Sequence, residues 1–250
     1  MVDWAFRGNR RVFLRLCGAT GVVLVGAVRA RPLVAQASVT SAAVKIGVVG
    51  SGKLGGAVGG RWVKTGHEVF FSSRHPEALK GLVEALGPRA RAGSVKDAIA
   101  FADVVLLAVP YAALPEIGRD NAAALAGKIV LDACNPIAAR DGDIAKEAMA
   151  NGIGATSQKY LPGTRLVRVF NPVPYRSFDG EPARGGEPIG MPLAGDDPVA
   201  VKVASQLARD AGVEPVVVPL SRAMDFAPGT ALFAKALPVA ELKRQLGIAR

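Results

Sequence analysis

The clearest folding signal in this chain is a glycine cluster between an apolar segment and a helical one. Residues 44–49 are a β-branched run of the kind found in buried parallel strands. Gly50, Gly52 and Gly55 follow with the spacing G-x-G-x-x-G, ahead of a helical pattern and a second apolar run at residues 68–72. The chain has 29 glycines, so the spacing alone means little, but its place between strand and helix predicts a βαβ unit that binds a dinucleotide.

Each glycine of this turn has a separate predicted role. Gly50 allows the tight turn, Gly52 lets the backbone approach a pyrophosphate, and Gly55 lets the helix pack closely on the strand. The helix N-terminus offers free N–H groups to the anion. The alternative is a glycine-rich turn without a ligand. The cofactor-binding residues predicted here are Gly50, Ser51, Gly52, Lys53, Leu54 and Gly55.

The end of the second predicted strand indicates which nucleotide is bound. NAD sites commonly place a carboxylate there for the ribose 2′-hydroxyl, but this chain has Ser72, Ser73 and Arg74. The hydroxyls can donate to a 2′-phosphate, and Arg74 can pair with it. The sequence therefore favours NADP over NAD, with a solvated helix cap as the alternative.

Strands and helices continue to alternate, which predicts an α/β Rossmann-type fold with a doubly wound parallel sheet. Further strands are predicted at residues 103–109, 128–133 and 165–170, with weaker helical segments at 76–86, 94–101 and 143–150. Ligands lie beyond the carboxyl ends of such strands. The residues that follow these strands are candidates for the rim of the site, or ordinary turn residues: Val109, Pro110, Asn135, Pro136 and Asn171.

Composition changes after residue 172. Residues 172–191 are rich in Pro, Gly and charge, which predicts a long loop or lid. A short strand, a helix and another strand follow, and predict a small C-terminal α+β unit. We therefore expect a Rossmann domain at residues 38–172, followed by the lid loop and small unit at 173–250.

Residues 1–37 resemble an export signal of the twin-arginine type. Arg10 and Arg11 precede Val-Phe-Leu-Arg, a mild apolar stretch covers residues 16–28, and Ala35-Gln36-Ala37 fits a peptidase site. The alternative is a disordered basic arm or a misassigned start. This segment also carries half of the net charge of +10, and the rest is scattered, which argues against nucleic-acid binding.

Few residues suit metal or nucleophilic chemistry. Cys134 ends an apolar run and reads as a core residue, and Cys17 lies in the predicted signal. With His67 and His75 as the two histidines, we expect no metal site, and no catalytic residue is assigned. No apolar run reaches the length of about 20 residues that spans a bilayer.

A set of short motifs spread over residues 44–232 occurs in a known family. The motifs are Ile46–Gly55, Gly66-His67-Glu68-Val69, Ser73-Arg74, Ala108-Val109-Pro110, Asp132–Pro136, Val169-Phe170-Asn171, Gly195-Asp196-Asp197, Leu220-Ser221-Arg222-Ala223 and Pro228-Gly229-Thr230. With these motifs the chain resembles the NADP-dependent oxidoreductases of the 8-hydroxy-5-deazaflavin coenzyme. The resemblance implies that Ser73 and Arg74 hold the 2′-phosphate. A further basic residue of the family falls on Ala78, for which Lys80 or His75 would substitute.

The resemblance implies hydride transfer between NADP(H) and a deazaflavin coenzyme. The alternatives are an NADPH-dependent flavin or ferric reductase on the same fold, or a non-catalytic NADP-binding protein. The expected partners are these small cofactors and the twin-arginine export machinery, with a homodimer left open. The expected location is periplasmic or secreted, or cytoplasmic if the signal is not used.

Overall fold

The structure, a computed structural model, describes residues 43–179 and 187–248. The strands are β1 Lys45–Val49, β2 Glu68–Ser72, β3 Ala90–Gly93, β4 Val104–Leu107, β5 Ile129–Asp132, β6 Arg165–Arg168, β7 Gly190–Gly195 and β8 Glu214–Val218. The helices are α1 Lys53–Lys64, α2 Lys80–Leu86, α3 Val95–Phe101, α4 Leu114–Asp120, α5 Ala122–Leu125, α6 Ala138–Asn151, α7 Ile153–Tyr160, α8 Pro198–Asp210 and α9 Val239–Gln245.

All eight strands form one sheet, in the order β3-β2-β1-β4-β5-β6-β7-β8. The strands from β3 to β6 are parallel to their neighbours, while β7 runs antiparallel to β6 and β8 runs parallel to β7. In the β6–β7 pairing, Arg168 lies opposite Ala194 and Val167 opposite Gly195. The chain order reverses between β1 and β4, which is the topological switch point where ligands bind in such sheets.

The sheet separates two hydrophobic cores. Successive residues of a strand point to opposite faces, so Val48 and Leu106 pack in one core while Val49 and Leu107 pack in the other. Side chains of α1 and α8 fill the first core, and those of α3, α4 and α7 fill the second. On the first face, the Nε1–H of Trp62 donates to the carbonyl of Leu207 at 2.8 Å and ties α1 to α8. This arrangement confirms the predicted doubly wound α/β fold.

The elements after residue 172 continue the same sheet. We treated them as a small α+β unit, and the structure places their two strands, β7 and β8, beside β6. Asp197 is the N-cap of their helix α8, and its carboxylate accepts from the N–H groups of Val199 and Ala200. The domain boundary near residue 172 stays a prediction.

Two predictions involve residues outside the described ranges, one of them only in part. The export signal of residues 1–37 does so entirely, and the loop of residues 172–191 does so at residues 180–186. Within the described ranges, no helix is long and apolar enough to cross a membrane. The same part of the chain contains no group of three or more His, Cys, Asp and Glu side chains that could hold a metal ion.

Candidate functional site

The glycine turn is held rigidly between β1 and β2. The carbonyl of Ser72, the last residue of β2, accepts from the N–H groups of Gly50 and Ser51 at 3.2 and 3.1 Å, and from the Ser51 hydroxyl at 3.1 Å. Gly50 has a φ of +96°, a conformation that side chains disfavour. The turn is therefore fixed by backbone contacts before any ligand arrives.

The three glycines meet three different surroundings, as their predicted roles require. A Cβ on Gly50 would lie 2.5 Å from the carbonyl oxygen of Ala108, and one on Gly55 would lie 2.2 Å from that of Gly50. A Cβ on Gly52 would have no atom within 4 Å. Gly50 and Gly55 are needed for packing, whereas Gly52 faces open space that a Cβ would enter.

The N-terminus of α1 faces the same space. Gly52 is its N-cap and supplies no side-chain acceptor, so the first N–H groups of this 12-residue helix have no side-chain cap. Such a terminus carries a partial positive charge and binds phosphate groups. The glycine turn therefore has the surroundings of a phosphate cradle.

A cavity of about 600 Å³ opens at this turn, at the carboxyl ends of β1, β2 and β4. Its place matches the switch point between β1 and β4. The residues that line it are Val49, Gly50, Ser51, Gly52, Ser73, Arg74, Val95, Lys96, Ala108, Val109, Pro110, Ala113, Glu116, Ile117, Asp120 and Asn121. The volume lies within the range of small-molecule sites.

Ser73 and Arg74 line the cavity at the end of β2, where we predicted a 2′-phosphate site. The Ser73 hydroxyl is half-buried and accepts from the N–H of His75 at 3.1 Å, which leaves its proton free to be donated. No hydrogen bond or ion pair within the described ranges engages the exposed Arg74 guanidinium. We also predicted that the Ser72 hydroxyl donates to the 2′-phosphate, and this was wrong. The hydroxyl is fully buried and donates to the carbonyl of Val48 at 3.0 Å.

The other predicted residues of the glycine turn lie around the cavity and not in its lining. Lys53 is exposed at the first turn of α1, with its Nζ 5.5 Å from the ring centroid of Tyr175. Leu54 packs against the first core, and Gly55 is buried under the turn. Val109 and Pro110, which follow β4, line the cavity, and their contact with a cofactor stays a prediction.

Asn135 and Pro136 follow β5 and are not lining residues of this cavity. The Asn135 amide donates to the carbonyl of Asn171 at 2.8 Å, and the Asn171 amide donates to the carbonyl of Asp132 at 2.9 Å. These bonds tie the ends of β5 and β6 together. The side-chain oxygens of both asparagines are buried and without a hydrogen-bond partner among the described residues. Contact of Asn135 and Pro136 with a cofactor stays a prediction.

A buried ion pair supports the turn that contains Asn135. The Arg168 guanidinium pairs with the carboxylate of Asp132 and donates to the carbonyl of Cys134 at 2.9 Å, and all three residues are almost fully buried. The other Asp132 oxygen accepts from the N–H of Cys134 at 2.8 Å. Burial, and then the Asp132 charge, raise the pKa of the Cys134 thiol, so Cys134 is a core residue with no thiolate character.

Sequence reasoning missed one side of the cavity, formed by α3 and α4. The signal that could have found it is topological: β3 pairs with β2, with Gly93 opposite Ser72, so α3 begins beside the end of β2. β3 itself was missed because most of its side chains are exposed or half-buried, which leaves no apolar pattern to read. The lining residues missed are Val95 and Lys96 after β3, and Ala113, Glu116, Ile117, Asp120 and Asn121 after β4.

The fold and this cavity define a dinucleotide-binding type of site. Comparison with known proteins agrees: residues 45–136 match the family described as NADP oxidoreductase, coenzyme F420-dependent. The matched segment runs from β1 to the turn after β5. It therefore contains the glycine turn, the end of β2 and the end of β4.

Three similar proteins extend the comparison. The metalloreductase STEAP3 of Rattus norvegicus is 28% identical over 187 residues, which cover 72% of this chain and 35% of that protein, so the chain spans about a third of this curated relative. The solved structure of the hypothetical protein SMa0349 from Sinorhizobium meliloti is 27% identical with a TM-score of 0.68, covering 78% of this chain and 95% of that one. The solved structure of a candidate F420-dependent NADP reductase from Arthrobacter sp. FB24 is 23% identical with a TM-score of 0.59. The match covers 78% of this chain and 99% of that one.

These likenesses support an NADP-dependent oxidoreductase in general, on a Rossmann-type fold. The Arthrobacter structure, at its level of identity, shows the fold alone.

Proposed function

We propose that this protein transfers a hydride between NADP(H) and a deazaflavin-type coenzyme. The observation that carries the proposal is that one cavity combines an open glycine cradle with an unpaired arginine and no carboxylate at the end of β2. NADP differs from NAD by the 2′-phosphate, which Arg74 is placed to recognise. The family matched by residues 45–136 supports the deazaflavin partner.

The chain's residues would hold the nucleotide at three points. The backbone N–H of Gly52, with those of the first turn of α1, suits the pyrophosphate. Ser73 and Arg74 suit the 2′-phosphate, and Val109 and Pro110 give the cavity an apolar wall against which a ring can pack. Bound NADPH supplies the hydride from its nicotinamide ring. For transfer to a flat acceptor ring, the protein's contribution is proximity and orientation in a dry site.

The proposal is tested by following NADPH consumption with a deazaflavin coenzyme, with free flavin and with ferric chelates as separate acceptors. We expect the deazaflavin to be reduced fastest, with NADPH preferred to NADH. Arg74→Ala should raise the Kd for NADPH by about 10- to 100-fold, because one charge-assisted contact is worth about 1.5–3 kcal/mol, and should leave NADH binding unchanged. Equal losses for both nucleotides would contradict the assignment of Arg74.

A flavin or ferric reductase is the second candidate. The 28% identity to a metalloreductase over 187 residues favours it. Faster turnover with flavin or ferric chelates than with deazaflavin would select this candidate. Tight NADPH binding without turnover on any acceptor would instead indicate a non-catalytic NADP-binding protein.

We also propose that the chain is exported in the folded state. The motif around Arg10 and Arg11 and the cleavage site ending at Ala37 support this. Replacing both arginines by lysine should retain the precursor inside the cell, and exported wild-type protein should begin at Ser38. Normal export of the double variant would show that the arginine pair is not read.

A further inference from the structure

The cavity has a second cation, which extends the proposed function. Lys96, on the first turn of α3, lines the cavity together with Ser73 and Arg74. It is the one lysine among the described lining residues. It comes from a different βα unit, so no motif at the end of β2 points to it.

The sheet brings these two cations to one place. β2 and β3 are parallel neighbours with Ser72 opposite Gly93, so the chain leaves both strands at the same edge. After β3, Ser94 caps α3 in a capping box with Asp97, in which the Asp97 N–H donates to the Ser94 hydroxyl oxygen at 3.2 Å. This cap fixes the start of α3, and Lys96 on its first turn lines the cavity.

Both cations are available to a ligand. Among the residues that the structure describes, neither the Arg74 nor the Lys96 side chain makes a hydrogen bond or an ion pair. The neighbouring carboxylate of Asp97 is engaged by Ser94, at 2.6 Å from its hydroxyl and 3.2 Å from its N–H, and these bonds lower the Asp97 pKa. Lys96 therefore lies beside an acid that is already hydrogen-bonded elsewhere.

The two residues expected to replace the family's missing basic residue are differently placed. The Lys80 ammonium lies 3.9 Å from Glu84, and the His75 ring lies 3.4 Å from the carboxylate of Glu77. Neither residue is among those that line the cavity. Lys96 is thus the basic side chain that accompanies Arg74 there.

We propose that Lys96 and Arg74 together bind the 2′-phosphate of NADP(H), and that Lys96 is a specificity-determining residue of this protein. The inference rests on the proposed function. A phosphate monoester carries close to two negative charges at neutral pH, which two cations neutralise better than one. Arginine supplies a planar pair of donors and lysine a compact point charge, so the two complement each other on one phosphate.

The lining of the cavity also includes two carboxylates. Glu116 and Asp120 lie one turn apart on α4 and both line the cavity. Their negative charges repel a phosphate, so Arg74 and Lys96 are the charged lining side chains that attract it.

The test is calorimetric titration of the full chain with NADPH, NADH, 2′,5′-ADP and 5′-AMP. Lys96→Met keeps an unbranched stem of similar length and removes the charge. We expect it to weaken NADPH and 2′,5′-ADP by about tenfold or more, the scale of one charge-assisted contact, and to leave NADH and 5′-AMP unchanged. Lys96→Arg should retain most of the NADPH affinity. Lys80→Met is the matched control and should bind all four ligands as the wild type does.

Three results would overturn the inference. Wild-type NADPH affinity in Lys96→Met would show that Lys96 does not contact the phosphate, while the proposed function stands. Equal weakening of NADPH and NADH would assign Lys96 a general structural role and not a specific one. Absence of NADPH binding to the wild-type protein would remove the proposed function and this inference together.

Discussion

The substitution Gly52→Ala distinguishes between two roles of the glycine turn, a cradle for phosphate and a purely structural turn. The substitution adds one methyl group at the N-cap of α1, where no atom lies within 4 Å of the new Cβ and φ is −74°, a value that alanine adopts freely. Alanine is a poorer N-cap than glycine, so the unliganded protein should lose about 0.5–1 kcal/mol of stability. For a chain of this size, that lowers Tm by about 1–4 °C.

The expected effect on nucleotide binding is much larger. The turn cannot retreat from a ligand, because the N–H groups of Gly50 and Ser51 are already bonded to the carbonyl of Ser72. A methyl group on Gly52 would therefore displace the pyrophosphate from the backbone. Loss of two charge-assisted hydrogen bonds costs about 3–6 kcal/mol, which weakens NADPH binding by at least about a hundredfold.

The assay measures both quantities on each variant, by calorimetric titration with NADPH and by thermal unfolding without ligand. Gly60→Ala is the matched control in the same helix, since its Cβ would lie 3.6 Å from Leu86, an ordinary contact. Gly55→Ala is the opposite control, since its Cβ would lie 2.2 Å from the Gly50 carbonyl and should destabilise the fold itself. Wild-type NADPH affinity in Gly52→Ala, or a loss of Tm like that of Gly55→Ala, would refute the reasoning.

Three further substitutions test the framework around the site. Asp132→Asn leaves the buried Arg168 without its counter-charge and should cost about 3–5 kcal/mol in denaturant unfolding; a loss below 1 kcal/mol would contradict the role given to this pair. Trp62→Phe removes the bond to the Leu207 carbonyl and should cost about 1–3 kcal/mol without changing NADPH affinity, which unfolding and titration check together. Asp197→Asn removes a carboxylate whose pKa is lowered by hydrogen bonds from Arg165 and from the first turn of α8. Because its pKa is lowered in the folded state, the ionised Asp197 stabilises the fold at pH values above the ordinary aspartate pKa of about 3.9. The difference in Tm between the variant and the wild type should therefore be greatest at neutral pH and should shrink as the pH falls through the lowered pKa. A difference in Tm that stays constant with pH would contradict this.

The fold was predictable because its central strands carry a strong local signal. The strands β1, β4 and β5 are buried on both faces, so their sequences are continuous apolar runs that need no tertiary information to read. The edge strand β3, with the sequence ARAG, carries no such signal. This strand forms because it pairs with the neighbouring strand β2.

The candidate site was predictable where it follows a motif and unpredictable where it depends on the sheet. The glycine turn and Arg74 each follow directly from a strand that could be read. Lys96 joins them through the pairing of β3 with β2, and the Ser72 hydroxyl is removed from the site by its burial against Val48. Both observations depend on which residues are neighbours in the folded protein, and a single sequence does not contain that information.

The reversed direction of β7 has a practical consequence for protein engineering. Because β7 runs against β6, the connection between them leaves and re-enters the sheet at one edge, the edge at which β1, β2 and β4 also end. A connection of this kind can change length or sequence as a cassette, since its two ends stay adjacent whatever lies between them. Residues 179–188 could thus be exchanged with those of a relative, while Val173 and Phe178, which are buried in the first core, are retained and the glycine turn stays in place. Chimaeras built in this way would show whether this connection affects the choice of acceptor.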